Sequence, residues 1–268
     1  MRGDYDVLSR GPGDGPWDLA RLTEQYLQGG HDGLNMRFTH PAAFKSLDFL
    51  EDCTGLRYLE VNGRIRDDLA SFRLPDLREL VLLTRSPRAI PGFAAAGLTR
   101  LGIDDRPGKE HIAELRQLRE LLIWYWKGTD LSFLGDAPPP LRSLRLEGRK
   151  QLATLDGIEG CRDLSELWVR DAQVESLEPL RELTGLRVLR LMPGYQPKVR
   201  TRLDLSVLTG MKGLETIALV YTGEIVSLRP LRELPALREV RIRADILDGD
   251  LSPLDDLPAD AVVVRPDE

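Results

Sequence analysis

Three of the chain's four tryptophans, Trp124, Trp126 and Trp168, stand in its middle third, accompanied by Arg145, Arg170 and Arg190 and extended by Leu122 and Met192. An indole offers a broad apolar face. A guanidinium offers a planar fork of donors that stacks on aromatic rings and grips carboxylates. These two residue types dominate the energetics where one surface docks on another, so the chemistry on offer is non-covalent recognition. Bond-making chemistry finds less support. His31, His40 and His111 sit at no familiar spacing from a cysteine, serine or acid. No HExxH or phosphate-loop motif occurs, and the Gly11, Gly13, Gly15 cluster lacks the strand–helix context a phosphate loop requires. Asp245, Asp248, Asp250, Asp255 and Asp256 crowd together, but not at calcium-loop spacing. No cofactor or metal is implied, and the chain reads as a binding module rather than an enzyme. A catalytic or small-molecule use of the same Arg, Glu and Trp side chains is the alternative.

The elements that position these side chains follow from a repeat. Leu-x-x-Leu-x-Leu, or a close aliphatic variant, begins at Leu56, Leu77, Leu98, Leu118, Leu141, Leu164, Leu186, Leu214 and Leu237, with a degenerate tenth copy at Ala259, Val262 and Val264. The successive intervals are 21, 21, 20, 23, 23, 22, 28, 23 and 22 residues. A fixed period in this range marks a stacked-coil solenoid. Within one coil, Leu177, Leu180, Leu183 and Leu186 recur every third residue, as in a 3₁₀-like turn. Leu189 and Leu191 then alternate as in a strand. The ladder returns as Leu47, Leu50, Cys53, Leu56, as Leu155, Ile158, Cys161, Leu164 and as Leu228, Leu231, Leu234, Leu237. Pro179, Pro230 and Pro253 fall in the turns, where a fixed φ is useful and no ladder hydrogen bond is lost.

This pattern, over roughly Leu47 to Val264, resembles the leucine-rich-repeat family, in its short class of about 22 residues that includes the internalins. The resemblance implies an α/β solenoid of horseshoe form, with a parallel sheet on the concave face and short 3₁₀ turns on the convex side. One departure is plain. The family places Asn eight residues after the first Leu of the motif, where its amide bridges coils. Here those positions hold Arg64, Arg85, Arg106, Trp126, Arg149, Ala172, Gly194, Thr222 and Asp245. Backbone groups in those turns must find other partners. Residues 17–46 read as an N-terminal cap, with an amphipathic helix over Trp17 to Gln28 and a strand at Leu34, Met36 and Phe38. Residues 1–16 read as a flexible lead-in, and 47–268 as the solenoid with a C-terminal capping strand.

Alternation along the strands sorts the outward residues into three columns. The middle one reads Glu60, Val81, Gly102, Leu122, Arg145, Trp168, Arg190, Ala218, Arg241, Val263. The following one reads Asn62, Leu83, Asp104, Trp124, Glu147, Arg170, Met192, Val220, Arg243, Arg265. The preceding one runs from Tyr58, Glu79, Arg100 and Glu120 through Ser143 and Glu166 to Val188, Thr216, Glu239 and Ala261. Trp124 and Trp168 face outward by register. Trp126 falls on the Asn position, from which it can face outward or turn in. The candidate site is therefore Leu122, Trp124, Trp126, Arg145, Trp168, Arg170, Arg190 and Met192. Acidic residues dominate the columns of the first four repeats and arginines those of the later ones, which favours a protein partner with an acidic or aromatic segment. The long interval adds a loop with Tyr195, Lys198, Arg200 and Arg202 at the strand end, where it could flank the face.

Composition bounds the rest. The net charge of -6 argues against bulk nucleic-acid binding, which needs a basic footprint. No apolar run approaches the roughly 18 residues of a membrane span, and the first fifteen residues carry no secretory pattern. The expectation is a cytoplasmic protein, monomeric on its own. The 31 arginines against 6 lysines suggest a GC-rich, bacterial source. Cys53 and Cys161 occupy core positions of the ladder five coils apart, too far for a disulfide.

Overall fold

The computed structural model describes residues 4–14, 16–38, 44–172, 174–192 and 201–264. Contacts divide the chain into two compact units, Met1–Trp124 and Tyr125–Glu268. This break falls among the repeats, not at residue 46 where the sequence ends the cap.

In the first unit the helix α1 (Leu19–Gly29) starts at Asp18, whose carboxylate accepts from the Arg21 amide, and ends on Gly30 in the left-handed region that glycine tolerates. Trp17 lies before the helix, and Leu27 points out, half exposed. The inward face is Leu22 and Tyr26. The strands are β1 (Val7–Arg10), β2 (Gly33–Arg37), β3 (Tyr58–Asn62), β4 (Glu79–Leu83), β5 (Arg100–Asp104) and β6, which starts at Glu120. Each is parallel to the next. β1 has no counterpart in the sequence reading, which left residues 1–16 as a flexible lead-in. Val7–Arg10 instead pairs with β2, and Tyr5 stacks on Tyr58 with ring centroids 5.5 Å apart. No aliphatic repeat announces this strand, because it adds to the edge of the sheet through its backbone.

In the second unit β7 (Ser143–Leu152), β8 (Glu166–Ala172), β9 (Val188–Met192), β11 (Thr216–Ile225), β12 (Glu239–Ile246) and β13 (Val262–Val264) stand side by side and parallel. The short β10 (Thr201–Leu203) pairs with the end of β11. Register carries the repeat directly. Leu144, Leu167, Leu189, Ile217 and Val240 form one buried row across this sheet, and Leu146, Val169, Leu191, Leu219 and Ile242 the next. Each fully buried leucine contributes roughly 2 kcal/mol relative to exposure, so the rows are the main source of stability. The turns close as the three-residue period predicts. The amides of Leu180, Leu183 and Leu186 donate to the carbonyls of Leu177, Leu180 and Leu183 at 2.9, 2.9 and 3.0 Å. Pro179, Pro230 and Pro253 each stand in the first two positions of a 3₁₀ turn. At the start of most strands one carbonyl binds two amides of the next coil, as where Arg57 accepts from Arg78 and Glu79 at 2.8 and 3.1 Å.

The last strand corrects the sequence register. Val263 pairs with the core residue Val240, while Val262 and Val264 pair with Glu239 and Arg241. The outward-facing residues of the final strand are thus Val262 and Val264, not Val263. Three valines in a row carry no alternation from which the phase could be read. Arg265 lies outside the described residues, as do Tyr195, Lys198 and Arg200 of the long interval.

Both cysteines are buried, which pushes the Cys53 thiol up to about 11 and the Cys161 thiol up to about 12. The thiolate is the reactive form, so at pH 8 only about one Cys53 in a thousand is competent. Expected is negligible labelling of the native protein by a thiol reagent at pH 8, and two equivalents once guanidinium unfolds it. Rapid native labelling at either position would contradict its place in the ladder.

Candidate functional site

The outward columns assemble as the spacing requires. In the second unit Arg145, Trp168, Arg190, Ala218 and Arg241 stand in register on successive strands, and Glu147, Arg170 and Met192 form the adjoining column. The guanidinium of Arg145 lies 4.6 Å above the Trp168 ring, and that of Arg170, two residues along the same strand, lies 5.8 Å from it. Among the described residues neither arginine forms an ion pair. Glu147 stands opposite Arg170, but no bond joins them. The Trp168 indole N–H is buried and has no acceptor among the described residues. Three donors, one on β7 and two on β8, therefore meet at Trp168 without a carboxylate among the described residues to satisfy them.

One strand further on, the charges are already spent. Glu239 accepts from Arg190 at 3.3 Å and from Arg241 at 2.7 Å. Between these two arginines the column drops to Ala218. The missing bulk opens a hollow of about 510 Å³, with Val220, Met192 and Val264 as its apolar lining, Trp168 at one end and Arg243 at another. The sequence reading placed Arg190 and Met192 in the site and missed the hollow beside them. Its signal was the small residue in a column of long ones, which only side-chain volume reveals.

In the first unit Leu122 and Trp124 are both half-buried. The Trp124 ring lies back across the sheet over Gly102, where a Cβ would come within 3.0 Å of it. Glycine in the middle column is thus the seat of this indole. The acidic residues of this face are largely neutralised. Glu60 accepts from the Tyr58 hydroxyl and from Arg37 at 2.5 and 3.1 Å, and Arg100 lies 3.2 Å from Glu79 and 3.4 Å from Glu120. Asp104 is buried, which raises its carboxyl above the usual range.

Trp126 turns inward. It is 1% exposed and packs against Phe133 with ring centroids 5.1 Å apart, so it leaves the candidate face. Arg106, on the same position of the repeat, also turns inward. It places Nη1 3.0 and 2.9 Å from the two oxygens of Asp68, which also accepts from the Thr84 hydroxyl at 2.6 Å. Asp68, Thr84 and Arg106 belong to three successive turns, so one buried carboxylate ties three coils where the family uses asparagine amides. Among the described residues no cluster of His, Cys, Asp or Glu could hold a metal ion, and no helix is long and apolar enough to cross a membrane.

No family model matches this sequence, and no curated protein matches it. Solved structures do. An internalin of Listeria monocytogenes is 20% identical and superposes with a TM-score of 0.56, over 91% of this chain and 61% of its own. Internalin C2 of the same organism is 18% identical with a TM-score of 0.41, over 90% of this chain and 83% of its own. The chain spans about three fifths of the length of the first internalin, and at such identity the likeness speaks to the fold alone. Together with the registered leucine rows and the 3₁₀ turns behind them, the likeness to the first internalin makes the fold of this chain the leucine-rich-repeat solenoid, in its short, internalin-like form.

Proposed function

We propose that the chain is a protein-binding module, an adaptor or an inhibitor of one specific protein, whose partner docks on the outward face of β7 to β12. The observation that carries this reading is the Trp168 indole capped by Arg145 and Arg170 beside the apolar hollow over Ala218. A large aromatic with unpaired guanidiniums around it is the composition of a docking hot spot. Among the described residues the lining of the hollow contains no Ser, Cys or His.

The test begins with recovery of a partner on the immobilised chain, followed by titration of wild type and variants. Truncating an aromatic anchor of this kind costs about 2 kcal/mol, or roughly thirtyfold in affinity. Trp168→Ala is expected to weaken the partner by that factor while the melting temperature stays nearly constant. Arg170→Glu is expected to slow association, with an effect that shrinks as salt rises. Unchanged affinity in both variants, or a loss matched by unfolding, would move the site off this face.

A further inference from the structure

The arginines of the second unit are not equivalent. Arg190 and Arg241 are bound to Glu239 and serve as walls of the hollow. Arg145 and Arg170 are exposed, held against Trp168, and bound to no carboxylate among the described residues. Each guanidinium lies over the indole and has no carboxylate partner among the described residues, so its N–H donors can grip an incoming carboxylate in pairs. Because the indole already holds both groups in place, less side-chain freedom is lost when an anion arrives. The hollow is a different kind of subsite. Its floor is alanine and valine, its lining adds Met192 and Val264 with Arg190, Arg241 and Arg243 at the walls, and its carboxylate, Glu239, is already neutralised. Trp168 on β8 and Ala218 on β11 are two strands apart, roughly 10 Å at the usual strand spacing.

We infer that this face reads a linear acidic peptide segment at two points: an Asp or Glu side chain between Arg145 and Arg170, and one bulky apolar side chain seated over Ala218 about 10 Å away across the strands. Ala218 is then the residue that sets specificity, since a bulky side chain there intrudes on the hollow. This rests on the docking face proposed above and adds the chemistry of what docks.

The experiment selects a random 12-residue peptide library displayed on phage against the full chain. The enriched sequence is then synthesised with a fluorophore and titrated by anisotropy. Enrichment of Asp or Glu together with one Trp, Phe, Leu or Met is expected. Ala218→Phe, which intrudes on the hollow, is expected to weaken that peptide about tenfold or more. Arg145→Ser with Arg170→Ser is expected to weaken it similarly at low salt and less at high salt. Replacing the peptide's acidic residue by its amide is expected to match the double arginine variant and to add nothing to it. Thermal melts of both variants verify that they fold. The inference is overturned when no acidic sequence is enriched, or when the enriched peptide binds Ala218→Phe or the double variant as it binds wild type. If binding still depends on Trp168 in that case, the docking face stands and only the two-point chemistry fails. If binding ignores Trp168→Ala as well, the docking face fails with it.

Discussion

Leu189→Asp is expected to abolish the folded state of the second unit at 25 °C. Leu189 is fully buried, registered between Leu167 on β8 and Ile217 on β11, with the turn leucines of its coil behind it. The substitution forfeits roughly 2 kcal/mol of leucine burial. It also places a carboxylate where no cation or donor reaches it, which costs several kcal/mol more or forces the group to protonate. Total stabilities of natural domains are only about 5–15 kcal/mol, so the loss consumes most of what is available. The neighbouring position supplies the control. Arg190 points to the opposite face and makes one partly exposed ion pair with Glu239, so Arg190→Ser is expected to cost about 1 kcal/mol or less. Circular dichroism melts of the two variants decide the matter. Similar melts for both would mean that residues 189 and 190 do not sit on opposite faces of a strand.

That contrast between adjacent residues could be stated from the sequence because the leucine spacing carries two periods at once. The three-residue period of Leu177 to Leu186 fixes the turn, and the two-residue period of Leu189 and Leu191 fixes which neighbours face out. The columns follow from that phase alone, and Arg145, Trp168 and Arg190 meet on adjacent strands as the spacing requires. Where periodicity is silent the sequence says less. Val262, Val263 and Val264 are interchangeable in pattern, so the last strand was placed one residue out of phase. β1 pairs through its backbone and needs no aliphatic repeat to do so. Trp126 occupies a position defined in the family by asparagine, and nothing in the spacing states whether an indole there points in or out. Its burial is decided by Phe133, which offers it an aromatic neighbour. The hollow over Ala218 depends on side-chain volumes across three strands, a comparison that column lists contain but do not make.

The least legible feature yields the second large effect, in the first unit. Asp68→Ala is expected to destabilise it by about 3–5 kcal/mol, the usual consequence of removing one partner from a buried ion pair. Asp68 is 0% exposed and Arg106 only 7%. The two are 38 residues apart in sequence, which is why no local motif announces them. Without the carboxylate, the Arg106 guanidinium stays beside Phe72, 5.3 Å from its ring, and loses both of its contacts to the Asp68 oxygens. The Thr84 hydroxyl loses its acceptor as well. The expected fall in melting temperature is about 10 °C. The magnitude comes from the charge left behind rather than from the strength of the pair, and that distinction can be tested. Replacing Asp68→Leu, Thr84→Val and Arg106→Met together removes the ion pair and the hydroxyl bound to it. Such replacements of buried ion pairs by apolar groups are often neutral or stabilising, so the triple variant is expected to recover most of the loss. A single variant that melts within about 1 °C of wild type would show that Asp68 does not hold Arg106. A triple variant as unstable as the single one would show that the carboxylate stabilises the three turns directly, by bridging their coils as the asparagine amides do elsewhere in this fold.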